Sequence, residues 1–230
     1  IGRDRAIWFL TEKLGTVNVY LKGAAATRSK FAPCTQLFCL SEINLFQNKE
    51  SYSLNTCDVI NSFFSLRENL EALSLASYFS EVTMDTAPDN EEAGEYFSLL
   101  LNCFFLIQQG KKDLKLIKSV FEMRIMTLSG FLPDILLCEK CGDALDGDIY
   151  FSLKHGTAIC SKCCDNKGGR FFLPASVLYA LRHICYSESK KIFSFDITLE
   201  ALTELSSFTE QYLIFQLSRS FGTLDFFKSL

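Results

Sequence analysis

The first sixty residues alternate apolar and polar positions with a period of two, which is typical of β-strands that bury one face. From Val17 to Leu21, for example, every second residue is apolar. The segments with this pattern are Arg5 to Thr11, Thr16 to Lys22, Gln36 to Phe46 and Ser51 to Val59. Gly15 and the stretch 23–33 separate them. The pattern predicts a small antiparallel sheet or barrel.

Beyond residue 61 the apolar period lengthens to that of an α-helix. The five predicted helices lie between 61 and 85 and at 91–109, 113–129, 174–187 and 198–221. The apolar stripe of the first helix begins at Leu66. Asp113 is the expected N-cap of the third helix. The second is apolar almost all round, which is typical of the central helix of a bundle. We expect the last two helices to complete that bundle.

The composition is that of a globular chain, with 48% hydrophobic residues. The longest apolar stretch, 96–107, is shorter than the about 20 residues that a bilayer span needs, and no signal peptide is visible at the start. The net charge of −4 divides unevenly, because residues 1–45 carry +3 and the remainder −7. Contact with a polyanion is therefore expected in the N-terminal segment.

Five of the ten cysteines crowd between positions 138 and 164, and four of them form two C-x-x-C pairs eighteen residues apart. This spacing is typical of zinc ribbons and knuckles. The predicted ligands of a structural Zn²⁺ are Cys138, Cys141, Cys160 and Cys163, which leave no open position for water. Cys164 or His155 as a ligand, and redox or incidental cysteines, are the alternatives. A hairpin of 149–152 and 157–159 is expected between the pairs.

The remaining cysteines lie in apolar surroundings and indicate reduced core residues, which suits a cytoplasmic protein. They are Cys34, Cys39, Cys57, Cys103 and Cys185.

Catalytic motifs are scarce. The two histidines, His155 and His183, offer few acid–base candidates, and neither a phosphate-binding loop nor a dinucleotide fingerprint occurs. Acidic residues cluster at 85–92, where a solvated turn is a simpler interpretation than a metal-dependent nuclease centre. We expect a protein that is not an enzyme.

Three groups of residues form a series along the chain. They are Gly2-Arg3-Asp4-Arg5 with Leu10-Thr11-Glu12; Lys22-Gly23-Ala24 with Arg28-Ser29-Lys30-Phe31; and Phe121-Glu122-Met123-Arg124 with Gly130-Phe131-Leu132-Pro133 and Cys138-x-x-Cys141-Gly142. This series resembles the bacterial RecO family of recombination mediators over nearly the whole chain. The third group is its most specific part.

The resemblance implies an α+β protein with an N-terminal OB-fold at 1–60, an all-α helical bundle at 61–137 and 171–230, and an inserted zinc module at 138–170. It places the first OB-fold strand before Ile1. Such proteins bind single- and double-stranded DNA and anneal complementary strands. With RecR, they help RecA replace single-strand DNA-binding protein on gapped DNA.

Candidate contacts follow from charge and aromatic character. The predicted DNA-binding residues are Arg3, Arg5, Lys13, Lys22, Arg28, Lys30 and Phe31, with Tyr20 as a further stacking candidate. The resemblance also implies that the helical body binds the acidic, Phe-ending tail of single-strand DNA-binding protein. The residues predicted to form this surface are Lys112, Lys115, Lys118 and Phe121. A cytoplasmic, nucleoid-associated protein is expected. The main alternative is a zinc-stabilised protein-interaction module without direct DNA binding.

Overall fold

The computed structural model describes residues 5–21, 31–48, 51–164 and 168–230, with the backbone alone at Arg5. The chain forms two compact units, Ile1–Gln108 with Thr223–Leu230, and Gln109–Gly222. The predicted α+β class is confirmed, since both helices and sheets are present. The domain boundaries at 60 and around 138–170 stay predictions from the sequence.

The first unit contains a four-stranded sheet in the order β1–β2–β4–β3. Its strands are β1 Arg5–Thr11, β2 Gly15–Leu21, β3 Leu40–Asn48 and β4 Ser51–Asn61. β1 pairs antiparallel with β2, β3 pairs antiparallel with β4, and a short parallel pairing joins β2 to β4. In the part of the chain that the structure describes, this sheet is open, with β1 and β3 at its edges. A closed OB barrel is therefore not observed.

One face of this sheet packs into the hydrophobic core of the N-terminal region. The buried side chains on it are Val17, Val19, Leu21, Phe31 and Leu54. The third strand begins at Leu40 and not at the predicted Gln36, because residues 35–39 form turns and bends in which Phe38 has a φ of 63°. A left-handed residue interrupts the alternation that an extended strand requires.

The helices are α1 Leu70–Thr86, α2 Gly94–Gln109, α3 Leu114–Leu128, α4 Ala175–Tyr186, α5 Leu199–Leu217 and α6 Gly222–Lys228. The predicted start of the first helix is wrong, because Leu66 lies in a separate 3-10 helix, Phe64–Arg67. α1 begins instead at Leu70 and is capped by Asn69, whose side-chain oxygen accepts a hydrogen bond from the Ala72 N–H at 2.9 Å. No described helix has the length and apolar character needed to cross a bilayer.

The turn between β1 and β2 docks on the connection between α1 and α2. The Thr16 N–H donates to the Pro88 carbonyl at 2.9 Å, and the Ala93 N–H donates to the Glu12 carbonyl at 2.9 Å. Gly15 has a φ of 59°, and a Cβ at this position would clash with the Pro88 carbonyl oxygen. Only glycine combines this backbone conformation with so close an approach.

The second unit packs α3, α4 and α5 together. The F-E-x-R motif lies on α3, where Phe121 is fully buried. Glu122 accepts a hydrogen bond from the Thr209 hydroxyl on α5 at 2.7 Å. Arg124 donates to the carbonyl of Cys185 at 3.0 Å and so caps the C-terminal end of α4. The motif therefore holds three helices together.

The last predicted helix, 198–221, is shorter than expected. α5 ends at Leu217 because Ser218 adopts a left-handed conformation with a φ of 50°, and α6 follows as a separate helix that the sequence pattern did not reveal. The second unit also contains a three-stranded sheet in the order β6–β5–β7. Its strands are β5 Ile149–Ser152, β6 Thr157–Cys160 and β7 Phe171–Leu173.

Candidate functional site

Four cysteine sulfur atoms converge in the second unit. The sulfurs of Cys138, Cys141, Cys160 and Cys163 all lie within 4.8 Å of one another. Tetrahedral coordination by thiolates at about 2.3 Å brings sulfur atoms about 3.8 Å apart, so this group can hold one metal ion. These are the four residues that the C-x-x-C spacing singled out. Neither Cys164 nor His155 belongs to the cluster.

The first pair sits on a tight turn. The Cys138 N–H donates to the Asp143 carbonyl at 2.8 Å, and the Gly142 N–H donates back to the Cys138 carbonyl at 2.9 Å. Gly142 has a φ of 75°, a left-handed conformation that glycine adopts readily. This turn points the first pair of thiols to one side.

The second pair is delivered by the predicted hairpin of β5 and β6. Cys160 is the last residue of β6, and Cys163 ends the 3-10 helix Ser161–Cys163. The Cys160 N–H donates to the Cys138 sulfur at 3.3 Å, which joins the two pairs directly. The third strand, β7, was not predicted.

The thiols of the cluster differ in pKa. Burial raises the pKa of Cys138, but N–H donors from the backbone of Cys141, Cys160 and Lys140 outweigh it and lower that pKa to about 6. Hydrogen bonds with the Cys160 and Cys141 thiols raise the pKa of Cys163 to about 12. Backbone donors directed at sulfur favour the thiolate form that a metal ligand needs.

Outside the cluster, the prediction that all five remaining cysteines are reduced is wrong for one pair. Cys34 and Cys57 form a disulfide, with Cα atoms 6.5 Å apart. This separation is within disulfide reach and could not be read from their sequence positions. Cys103 and Cys185 are buried thiols, as predicted, and burial raises the pKa of Cys185 to about 11. Cys39 is partly exposed.

Family comparisons agree with this architecture. A family model described as "Recombination protein O C terminal" matches residues 67–225, and one described as "Recombination protein O N terminal" matches residues 3–63. The chain belongs to the RecO family.

Two relatives illustrate how far the RecO similarity extends. The chain is 32% identical over 227 residues to the DNA repair protein RecO of Acetivibrio thermocellus, covering 99% of this chain and 90% of that protein. It is 26% identical over 227 residues to the DNA repair protein RecO of Clostridium novyi, covering 99% and 88%.

In this RecO-family chain, four of the predicted DNA-binding residues fall outside the described residues. They are Arg3, Lys22, Arg28 and Lys30. Arg5 begins β1, and Lys13 is exposed in the turn after it. Phe31 is only 8% exposed and packs in the core of the sheet. Its expected stacking role is therefore corrected, because its ring has little surface left for a base.

Sequence reasoning missed two exposed rings on this sheet. Trp8 and Phe46 lie on its outer face, together with the previously considered Tyr20. The signal was available, because these residues occupy the positions between the core residues of their strands. Aromatic side chains at such positions contradict the simple expectation that the outer face is polar.

The predicted partner surface on the RecO-family helical region also needs correction. Lys118 is 2% exposed and forms ion pairs with Glu122 and Glu210, each at 2.9 Å. Phe121 is fully buried. Neither can contact a peptide at the surface, because α5 packs over this part of α3. Of the predicted lysines, Lys115 is exposed and Lys112 partly so.

A groove of about 360 Å³ lies in the first unit beside the edge strand β1. Ile7 to Leu10 of β1 and residues 34–40 before β3 form one side, and side chains of α1 and α2, including Phe104, form the other. The groove is mainly apolar, since the hydroxyls of Ser77, Ser80 and Thr83 donate to carbonyls of their own helix.

Proposed function

We propose that this chain acts in DNA repair as a recombination mediator that binds single- and double-stranded DNA through its N-terminal sheet. It anneals complementary strands and, with RecR, helps to load RecA onto gapped DNA in place of single-strand DNA-binding protein. The observation that carries the proposal is the pair of RecO family matches, which together span nearly the whole chain. The relatives named above are DNA repair proteins.

The cysteine cluster supports a structural zinc ion. Cys138, Cys141, Cys160 and Cys163 supply four soft donors, which suit Zn²⁺ and leave no position for substrate or water. We propose that the ion stabilises the 138–170 module and takes no part in chemistry. A protein that positions strands requires no catalytic residue, so we propose that it is not an enzyme.

The open sheet supports an OB-fold. In the order β1–β2–β4–β3, the edge strands are β1 and β3, and one further strand could pair with both. An OB barrel has five strands. The groove along β1 offers space beside one of these edges. We propose that the barrel closes by a strand between β1 and β3. A cytoplasmic, nucleoid-associated location follows from the proposed role.

The decisive experiment is an electrophoretic shift of labelled single- and double-stranded DNA by the zinc-loaded chain, with and without magnesium. We expect salt-sensitive shifts of both DNAs without magnesium, and no cleavage. Absence of binding at low salt would favour the alternative, a zinc-stabilised protein-interaction module. Cleavage that appears only with magnesium would favour a nuclease.

A further inference from the structure

The turn that carries the first C-x-x-C pair is the tip of a short loop in the second unit. An antiparallel bridge pairs Leu137 with Ala144 and closes the loop just behind the turn. Residues 135–137 are called the first leg and residues 144–148 the second leg below. Because the turn is short and closed in this way, the positions of the two legs determine where its thiols point.

The first leg is held by Arg182 of α4. The Nε of Arg182 donates to the Ile135 carbonyl at 3.0 Å, and its Nη2 donates to the same carbonyl at 2.7 Å and to the Leu136 carbonyl at 3.3 Å. A guanidinium suits this contact because its donors lie in one plane with fixed directions. Arg182 therefore fixes two successive peptide groups immediately before the turn that begins at Cys138.

The second leg is held by the N-terminal half of α4. The Tyr179 hydroxyl donates to the Asp146 carbonyl at 2.8 Å. The Asp148 carboxylate accepts a hydrogen bond from the Ala175 N–H at 3.0 Å. The N-cap residue of α4 is Pro174, whose side chain offers no acceptor, so Asp148 of the loop satisfies an N–H at the start of the helix.

These contacts lie on one face of α4. Positions 175, 179 and 182 follow the spacing i, i+4 and i+7, which places residues on the same side of a helix. The tip of the loop is held separately by β6, where the Glu139 N–H donates to the Ala158 carbonyl at 2.9 Å. A helix thus supports the legs and a strand supports the tip.

We propose that α4 positions Cys138 and Cys141 for the metal ion before it binds, and that Arg182 is the main positioning residue. This inference rests on the proposed structural zinc ion and names the residues outside the cluster that set its affinity. Thiols in a loose loop lose conformational freedom when a metal orders them. A loop already fastened to a helix loses less, so it binds the metal more tightly.

Competition with a chromophoric chelator measures the zinc affinity of the 230-residue chain. Arg182→Met removes all three hydrogen bonds to the first leg and should weaken zinc binding about 10- to 100-fold, as is usual for partners that orient metal ligands. Arg182→Lys keeps a cationic donor but not the planar fork, and should restore part of the affinity. Tyr179→Phe removes one hydroxyl and should weaken zinc binding about two- to fivefold.

Arg124→Met is the matched control. Arg124 also donates to backbone carbonyls, at 3.3 Å to Ile184 and 3.0 Å to Cys185, but these acceptors lie at the end of α4 and not in the legs. Arg124→Met should therefore lower the urea midpoint and leave the zinc affinity of the folded protein unchanged.

Cobalt gives a spectroscopic readout that a general loss of stability does not reproduce. Co²⁺ held by four thiolates absorbs visible light, so a titration with Co²⁺ reports directly on the cluster. The Co²⁺ concentration at half-maximal absorbance should rise for Arg182→Met and stay at the parent value for Arg124→Met.

The outcomes separate this inference from the proposed zinc ion. If the parent chain binds neither Zn²⁺ nor Co²⁺, the zinc proposal fails and this inference fails with it. If the parent binds metal and folded Arg182→Met binds it equally tightly, only the positioning role is overturned. Equal losses of metal affinity in Arg182→Met and Arg124→Met also overturn it, because loosening of the helices would explain both. If Arg182→Met does not fold, unchanged zinc affinity in Tyr179→Phe overturns the inference.

Discussion

The ammonium group of Lys118 lies 2.9 Å from a carboxylate oxygen of Glu122, one turn further along α3, and both side chains are buried. Glu210 of α5 is also 2.9 Å from the same ammonium. Burial lowers the pKa of Lys118, but the two carboxylates outweigh it, and the net shift is upward. One cation thus forms ion pairs with carboxylates from two helices.

Replacing Lys118 by Met should lower the free energy of unfolding by about 3–5 kcal/mol, because the buried Glu122 and the partly buried Glu210 would lose their cation. Urea denaturation measures the effect. Lys115→Met on the exposed side of α3 is the matched control and should change stability by less than about 0.5 kcal/mol. Since the folded-state pKa of Lys118 is raised, its contribution is complete below the unfolded-state pKa of about 10.5 and is lost as the pH rises through the folded value. An equal effect of the two variants would contradict the buried network.

The purified chain should contain one zinc ion. Cys138→Ala or Cys160→Ala should remove the metal and destabilise the second unit, because the hairpin of β5 and β6 then loses the cross-link to the first C-x-x-C turn. Metal analysis combined with thermal unfolding measures both effects. Cys164→Ala should retain zinc, since Cys164 is outside the cluster. Metal-free protein purified without chelator would refute the zinc site.

Phosphate contacts should come from the basic N-terminal segment. Replacing Lys22, Arg28 and Lys30 by Ala should change the binding of single-stranded DNA. The slope of log affinity against log salt concentration should become shallower by roughly 2, because each phosphate contact contributes about 0.7. Lys162→Ala, in the metal module, is a control that should leave the slope as it is. An unaltered slope in the folded triple variant would exclude these residues as the phosphate-binding set.

The acidic tail of single-strand DNA-binding protein should bind weakly near the start of α3. Charge reversal of Lys112 and Lys115 to Glu should reduce tail-peptide affinity about tenfold, because the peptide carboxylates lose their partners. Isothermal titration with the isolated peptide measures this. Reversal of Lys190 and Lys228 to Glu is the control, because it makes the same change in net charge elsewhere. Unchanged affinity after reversal of both lysines would reject this location.

The disulfide between Cys34 and Cys57 should be found by mass spectrometry of non-reduced digests. The residues are 23 apart in sequence, so closing this loop should contribute about 3 kcal/mol to the stability of the first unit. Reductant should lower the urea midpoint of the parent chain and leave a Cys34→Ala/Cys57→Ala variant unaffected. A parent chain insensitive to reductant would argue against the bond in solution.

Local rules recovered much of this architecture from the sequence. Alternation located β1, β2 and β4, Asp113 capped α3 as expected, with its carboxylate 2.7 Å from the Lys115 N–H, and the C-x-x-C spacing identified the metal cluster. Each of these signals lies within a few residues of the feature it predicts, so neighbouring residues suffice to specify it.

The errors concern long-range packing. Lys118 looks like a solvated lysine until Glu210, far along the chain, is placed beside it. Phe31 follows a basic stretch, but the strands before and after it close over its ring. The Cys34–Cys57 pairing likewise depends on how a loop returns to β4. Periodicity and motif spacing carry no information on such distant partners.

The docking of Gly15 against Pro88 determines which fragments of the chain can fold. The family matches divide the sequence between residues 63 and 67, yet the β1–β2 turn takes its hydrogen-bond partners from beyond that point. A fragment ending near residue 61 would expose the Thr16 amide and the core-facing side of the turn to solvent. The segment that one family model matches is therefore not a segment that folds by itself in this chain. Activity lost from such a fragment would report the loss of the folded sheet and not a missing binding site.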